Sequence, residues 1–219
     1  MANSGAGDRQ ATRLCLVVTA DAGVATAERL SAALGAADVA SVILRAGAGR
    51  MLEAGTVRPL VAAIQRAGVA VLIADDARLA RTLKADGVHL SASADVEAVF
   101  AEAREVVGSG VIAGMDAGLS KHAAMSLGEA GADYVAFGLF DGADVAARDE
   151  RIDRVGWWAE IFQPPCVVLD VASPEEAAAL ADVGADFVAV TLPEACSVAD
   201  ARDLVVAFAA AVTLAESVG

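Results

Sequence analysis

The sequence predicts a single (β/α)8 barrel, and three observations support this fold class. First, a small residue followed by Asp precedes an apolar run at Asp86, Asp133 and Asp186. These residues lie 47 and 53 positions apart, about two βα units of roughly 25–30 residues per interval. Second, short apolar runs alternate with amphipathic, Ala-rich segments. Third, the runs are almost continuously apolar, as in a parallel sheet buried on both faces.

The alternation gives eight strands and eight helices. Strands are predicted near residues 14–19, 40–45, 69–74, 86–90, 111–114, 133–137, 166–170 and 186–190. Helices are predicted near residues 24–35, 58–67, 76–84, 95–107, 119–130, 154–162, 174–182 and 198–216. Barrel enzymes carry their active residues at the carboxyl ends of the strands, so the site is expected in the turns that follow them.

Local signals mark several element boundaries. Residues Ser173 to Glu176 form a capping box with proline at the first helical position. Gly68, Gly131 and Gly184 follow predicted helices, where a left-handed residue is favoured. The longest irregular stretch is predicted from residue 138 to 154, as a lid, a substrate loop or a plain solvated loop.

Composition restricts the class of protein. The 219 residues suit one domain, with a disordered tail over residues 1–13 and the barrel over 14–219. We expect a cytoplasmic protein that is not inserted in membranes, because neither a signal peptide nor an 18-residue apolar stretch is recognisable. The net charge of −14 argues against nucleic acid and anionic membranes as partners. Cys15, Cys166 and Cys196 are odd in number and widely spaced, and they indicate no disulfide or metal framework.

Several segments resemble the thiamine phosphate synthase family and its thiazole tautomerase relatives. The carrying segments are residues 68–80, Ala85-Asp-Gly-Val-His-Leu90, the Gly131–Gly138 phrase and Val42-Ile-Leu-Arg45. The similarity runs from about Leu14 to Val190. That family joins a pyrimidine pyrophosphate to a thiazole phosphate and releases pyrophosphate. The resemblance therefore implies a role in thiamine biosynthesis, a barrel fold, and Mg²⁺ with cationic side chains that neutralise the departing group.

The resemblance also implies site residues, although we assign no catalytic residue from it. Asp75 matches the first Mg²⁺ carboxylate, and Asp95 lies one position beyond the second, which falls at Ala94. Arg45 matches the arginine that ends the second strand. With Ser173 and Thr191, in the turns after the seventh and eighth strands, it is a candidate substrate- or phosphate-binding residue.

Other positions depart from the family pattern. The Gln before the arginine is Ile43, and the Asn beside the first carboxylate is Ala74. A Thr-x-Thr-Lys loop is expected near residues 140–146, which contain two acids and no lysine. Asp170 stands in a turn where the family has glycines that admit phosphate. These replacements predict a degenerate active site.

Two interpretations stay open for several residues. Asp75 is either a Mg²⁺ ligand or the cap of the helix that starts at Asp76. Arg45 binds an anion or pairs with acids such as Asp75. His89 is interpreted as a packed barrel residue rather than an acid–base group. His122, in the region where tautomerase relatives use a histidine, is interpreted as a surface residue.

Three functions are consistent with these residues. The first is a homologue with weak or lost catalysis that binds a small, less anionic ligand at the strand carboxyl ends. The alternatives are an active Mg²⁺-dependent thiamine phosphate synthase and a metal-independent thiazole tautomerase. A homodimer is expected only by analogy with barrels of this type.

Overall fold

A computed structural model describes residues 11–20, 23–138 and 145–216. Eight parallel strands follow one another around a closed barrel, and β8 closes it by pairing with β1. A helix follows each strand. The predicted (β/α)8 fold is confirmed.

The elements alternate strictly along the chain. The strands are β1 Arg13–Thr19, β2 Val39–Arg45, β3 Ala70–Ala74, β4 Gly87–Leu90, β5 Ile112–Asp116, β6 Tyr134–Phe137, β7 Cys166–Val168 and β8 Phe187–Leu192. The helices are α1 Val24–Leu34, α2 Ala54–Arg66, α3 Ala77–Leu83, α4 Val96–Val107, α5 Lys121–Glu129, α6 Val145–Ile161, α7 Pro174–Asp182 and α8 Val198–Glu216.

The predicted irregular stretch over residues 138–154 is wrong for much of its length, because α6 already begins at Val145. The inner face of α6 carries Arg151, Val155 and Trp158 at helical spacing, and all three side chains are fully buried. The buried Arg151 conceals the helical pattern, because an arginine in a sequence usually indicates a solvent-exposed position. Residues 139–144 of the predicted loop, like residues 1–10 of the predicted tail, lie outside the described residues.

Two apolar layers hold the barrel together. Alternate strand residues point outward to the helices, and the others fill the barrel interior with a cluster that includes Cys15, Val17 and Tyr134. The Tyr134 ring needs the space left by Gly114, where an added Cβ would lie 2.2 Å from the ring. His89 stacks on the same ring, with centroids 6.0 Å apart.

The three repeated aspartates have a common structural role. Each lies directly before an even-numbered strand and accepts a hydrogen bond from an amide near the amino end of the preceding strand. The pairs are Asp86 with the Val71 amide at 2.9 Å, Asp133 with Ala113 at 2.8 Å, and Asp186 with Cys166 at 2.8 Å. The repeat therefore closes the amino-terminal edge of the barrel, away from the expected site.

Helix ends follow the predicted signals. Gly68, Gly131 and Gly184 have φ values of 76°, 78° and 98°, which only glycine adopts without strain. Their positions after α2, α5 and α7 match the sequence prediction. None of the described helices is both long and apolar enough to cross a bilayer.

Candidate functional site

A cavity of about 470 Å³ opens at the carboxyl ends of the strands. Val17, Ile43 and Leu169 contribute apolar side chains to its wall. The charged residues that line it are Arg45, Arg50, Asp75, Asp76, Asp116 and Asp170. Among the described residues, four carboxyl groups thus face two guanidinium groups, in the part of the fold where barrel proteins place their ligands.

Asp75 links the ends of two strands. Its backbone is left-handed, with φ of 56°, and its carboxylate accepts hydrogen bonds from the Ser91 amide and hydroxyl, both at 2.7 Å. The adjacent Asp76 caps α3 by accepting from the Leu79 amide at 2.8 Å. The interpretation of Asp75 as the helix cap is therefore wrong. The left-handed residue turns the chain, so that the cap falls one position later.

Arg45 ends β2, is exposed, and lines the cavity together with Asp75. In the described parts of the chain, no ion pair joins these two residues. Arg45 therefore does not pair with Asp75, and its binding of an anion stays a prediction.

The predicted second metal residue is engaged elsewhere. Asp95 caps α4 by accepting a hydrogen bond from the Ala98 amide at 3.1 Å, and it is not among the residues that line the cavity. Residues 11–20, 23–138 and 145–216 contain no group of three or more His, Cys, Asp or Glu residues arranged to hold a metal. Because Asp75 and Asp95 do not converge, these residues do not fit a Mg²⁺ ion held by both carboxylates, and we assign no chemistry to one.

Asp116, at the end of β5, is a cavity residue that the sequence prediction missed. Its Oδ1 atom accepts hydrogen bonds from the amides of Gly118 and Gly138, both at 2.8 Å. Burial raises the pKa of Asp116, although these amides lower it in part. A Cβ at Gly138 would lie 2.3 Å from Asp116 Oδ2, so the close approach requires glycine. A polar residue at the end of an apolar strand was the available signal.

Side chains of the turn after β7 and of the first turn of α7 form hydrogen bonds with the local main-chain amides. Ser173 caps α7, and its hydroxyl accepts a hydrogen bond from the Glu176 amide at 3.2 Å. Glu176 in turn accepts from the Ala172 amide at 2.8 Å. These contacts confirm the predicted helix start. They also engage the Ser173 hydroxyl and two amides at this helix end, where an anionic ligand would otherwise find donors.

Two arginines of α6 pair with the Glu176 carboxylate. Arg148 lies 2.9 Å and Arg151 lies 2.5 Å from its oxygens. Burial acts to raise the pKa of Glu176, but the Ala172 amide and the arginines outweigh it and hold the pKa below its usual value. Two of the three arginines in the segment predicted as a loop are therefore bound to α7, whereas Arg154 pairs with Glu150 within α6.

Thr191 lies in β8 and faces the barrel interior. It pairs with Val17 in the β8–β1 register and follows the inward-facing Ala189 by two residues, so its side chain faces the barrel interior. Its hydroxyl is buried and has no hydrogen-bond partner among the described residues. It is not among the residues that line the cavity.

The two histidines differ in environment. His89 is 6% exposed, lines the inner end of the cavity, and has Nδ1 2.8 Å from the Tyr134 hydroxyl. Burial lowers the pKa of His89 to about 4, although Asp75 acts in the opposite direction. The packed interpretation of His89 is confirmed. His122 is exposed on α5 and outside the cavity, which confirms its surface placement.

Comparison with known proteins identifies the family. The family model described as thiamine monophosphate synthase matches residues 14–192. The chain belongs to this family. A thiamine-phosphate synthase from Hyphomonas neptunium is 38% identical over 192 residues, which cover 84% of this chain and 86% of that protein.

Two further similar proteins support the membership and the fold. A thiamine-phosphate synthase from Rhodospirillum centenum is 40% identical over 172 residues, covering 76% of this chain and 80% of that protein. The structure of a thiamine phosphate pyrophosphorylase from Pyrococcus furiosus superposes with a TM-score of 0.69 at 17% identity, covering 96% of this chain and 99% of that one. At this identity, the superposition shows the fold alone.

Two departures from the thiamine monophosphate synthase pattern lie in the cavity itself. Ile43 and Ala74, which replace the Gln and Asn that the resemblance leads us to expect, both line it. Part of the third departure, near residues 140–146, lies outside the described residues.

Proposed function

We propose that this member of the thiamine monophosphate synthase family binds a small, thiamine-related molecule that is neutral or cationic, and that its transferase activity is weak or lost. The observation that carries this proposal is the charge of the cavity lining, where four carboxyl groups stand against two guanidinium groups. Thiamine itself fits this description, because its thiazolium ring carries a positive charge.

The electrostatics of the site support this ligand class. Asp75, Asp116 and Asp170 lie around a partly enclosed space, where charges are screened less than in bulk water. A pyrophosphate would meet these carboxylates with Arg45 and Arg50 as the cationic partners among the described lining residues. A cation or a hydrogen-bonding neutral ring would gain from the same carboxylates.

An active transferase is the second candidate. The relatives named as thiamine-phosphate synthases reach 38–40% identity over most of their length, and Arg45 and Asp75 both line the cavity. In this case, Asp75 would be the Mg²⁺ ligand that this chain contributes, and the ion would supply neutralisation of the negative charge on pyrophosphate.

Two measurements separate the candidates. Pyrophosphate release is followed with pyrimidine pyrophosphate, thiazole phosphate and Mg²⁺. Turnover of about 1 s⁻¹ or more, within the usual range for enzymes, would contradict weak catalysis. Calorimetry then compares thiamine with thiamine monophosphate, and we expect thiamine to bind more tightly.

A matched pair of variants tests the ligand's charge. Asp170→Asn removes a cavity carboxylate but retains a residue that tolerates the left-handed backbone, where φ is 53°. We expect it to weaken thiamine binding. Asp182→Asn removes an exposed carboxylate of α7 outside the cavity and should leave binding unchanged. Equal affinity for thiamine in both variants would contradict the proposed role of the cavity charge.

A further inference from the structure

We infer that Glu176 is a specificity-determining residue. Arg148, Arg151 and the amino end of α7 form an anion-binding site, and the Glu176 carboxylate occupies this site as an internal anion. It thereby excludes phosphate groups from the side of the cavity mouth that lies next to β7. This inference deepens the proposed function and rests on it for the identity of the ligand class, whereas the anion site itself rests on geometry alone.

The contacts of Glu176 are those of a bound anion. Arg148 Nη1 donates to both carboxylate oxygens, at 3.1 and 2.9 Å. Arg151 Nη2 donates to Oε1 at 2.5 Å, and the Ala172 amide donates to Oε2 at 2.8 Å. Two guanidinium groups and a main-chain amide at a helix start form a donor set suited to a phosphate monoester.

Burial separates this cluster from a surface ion pair. The Arg151 side chain is 0% exposed and that of Glu176 is 11% exposed. Arg151 Nε is buried and has no hydrogen-bond partner among the described residues. A carboxylate has two oxygens and leaves this donor unused, whereas a phosphate has more acceptor oxygens to offer. A buried guanidinium without an anion is costly, so Glu176 stabilises Arg151 while the site holds no phosphate.

The cluster adjoins the cavity wall. Arg151 also donates to the Leu169 carbonyl, and Leu169 and Asp170 line the cavity. The arginine therefore connects the anion site to the mouth through a single residue of the β7–α7 turn. Neutralising Glu176 should create an anion site at this edge of the mouth.

The test uses inorganic phosphate as the probe and the full chain throughout. Calorimetry and thermal unfolding compare the natural protein with Glu176→Gln and Glu176→Ala, in phosphate and in chloride of equal ionic strength. We expect both variants to bind phosphate about tenfold or more tightly than the natural protein. Glu175→Gln is the matched control, since Glu175 lies in the same helical turn, is exposed, and pairs with neither arginine in the described contacts.

A double variant locates the bound ion. Arg148→Ala combined with Glu176→Gln should lose the gained affinity, because Arg148 supplies two of the contacts to the anion. Retention of that affinity in the double variant would overturn the assignment of the site.

Folded Glu176 variants that bind phosphate no better than the natural protein would overturn the inference. If both variants are unfolded in chloride, phosphate-dependent refolding supports it by mass action, and failure of phosphate to refold them overturns it. Thiamine binding by the natural protein is measured separately. If the natural protein does not bind thiamine, the proposed ligand class is refuted. A gain of phosphate binding in the Glu176 variants would still support the anion site.

Discussion

The Asp186 carboxylate accepts a hydrogen bond from the Cys166 amide at 2.8 Å, joining the residue before β8 to the first residue of β7. β7 spans only three residues, so its first amide is an important point of attachment. Asp133 and Asp86 make similar bonds one and two strand pairs earlier in the barrel, to the second residue of β5 and of β3. The repeated aspartate therefore provides acceptors for main-chain amides at the amino-terminal edge of the barrel.

Replacing Asp186 should destabilise the barrel. Asp186→Ala leaves the Cys166 amide without its acceptor and should reduce the free energy of unfolding by about 1–3 kcal/mol. Asp186→Asn should cost less, because the amide oxygen can still accept. Urea denaturation measures both, with Asp182→Ala on the exposed surface of α7 as the control. Equal stability of the Asp186→Ala and Asp182→Ala variants would contradict the capping role.

Substitution at Gly114 should strain the barrel interior. The Cβ of Gly114→Ala would lie 2.2 Å from the Tyr134 ring, so the ring must shift, at a cost of about 1–3 kcal/mol. Gly110→Ala is the matched control, since its Cβ would meet nothing within 4 Å. Combining Gly114→Ala with Tyr134→Ala should give a smaller loss than the sum of the single losses. Additive losses would show that the two residues do not share this space.

The buried histidine should make stability depend on pH. The pKa of His89 is lowered from 6.5 to about 4, so between these values the unfolded chain binds a proton that the folded chain does not. Stability is therefore fully present above pH 6.5 and decreases as the pH falls towards 4, with a contribution of about 3 kcal/mol.

A matched comparison isolates this contribution. His89→Gln should flatten the dependence of the unfolding free energy on pH between 4 and 6.5, whereas His122→Gln, on the exposed surface of α5, should leave the slope unchanged. The same slope in both variants would mean that other groups cause the loss of stability in acid.

The three thiols should react at different rates. Burial raises the pKa of Cys15 to about 11 and that of Cys166 to about 12, so neither forms the reactive thiolate readily. Cys196 is partly exposed. With dithionitrobenzoate we expect one fast-reacting thiol in the native protein and three after denaturation, and Cys196→Ser should remove the fast phase. Rapid reaction of a second thiol would contradict the burial of Cys15 or of Cys166.

Much of the fold was predictable from local patterns. The apolar runs and helix signals gave all eight strands and all eight helices in order, because a parallel strand buried on both faces is apolar along its whole length. The cap at Ser173 and the left-handed glycines depend on the nearest few residues, so they were predictable too. The first half of α6 was the exception, since an arginine in the sequence suggests a solvent-exposed position, whereas Arg151 is buried.

The site was less predictable. Arg45 and Asp75 were correctly expected near the mouth, because the carboxyl ends of successive parallel strands meet there. Asp116 was missed, and the choice between Asp75 and Asp76 as the helix cap depended on a left-handed backbone that the sequence does not reveal.

The sequence by itself determined the barrel, its element order and the edge that carries the candidate site, because these depend on periodicity and on contacts between neighbouring residues. Only the tertiary structure decided which charges share a space. The pairing of Glu176 with Arg151 spans 25 positions and joins two helices. No local pattern encodes such a pair, since its energy arises from burial that exists only once α6 and α7 have packed together.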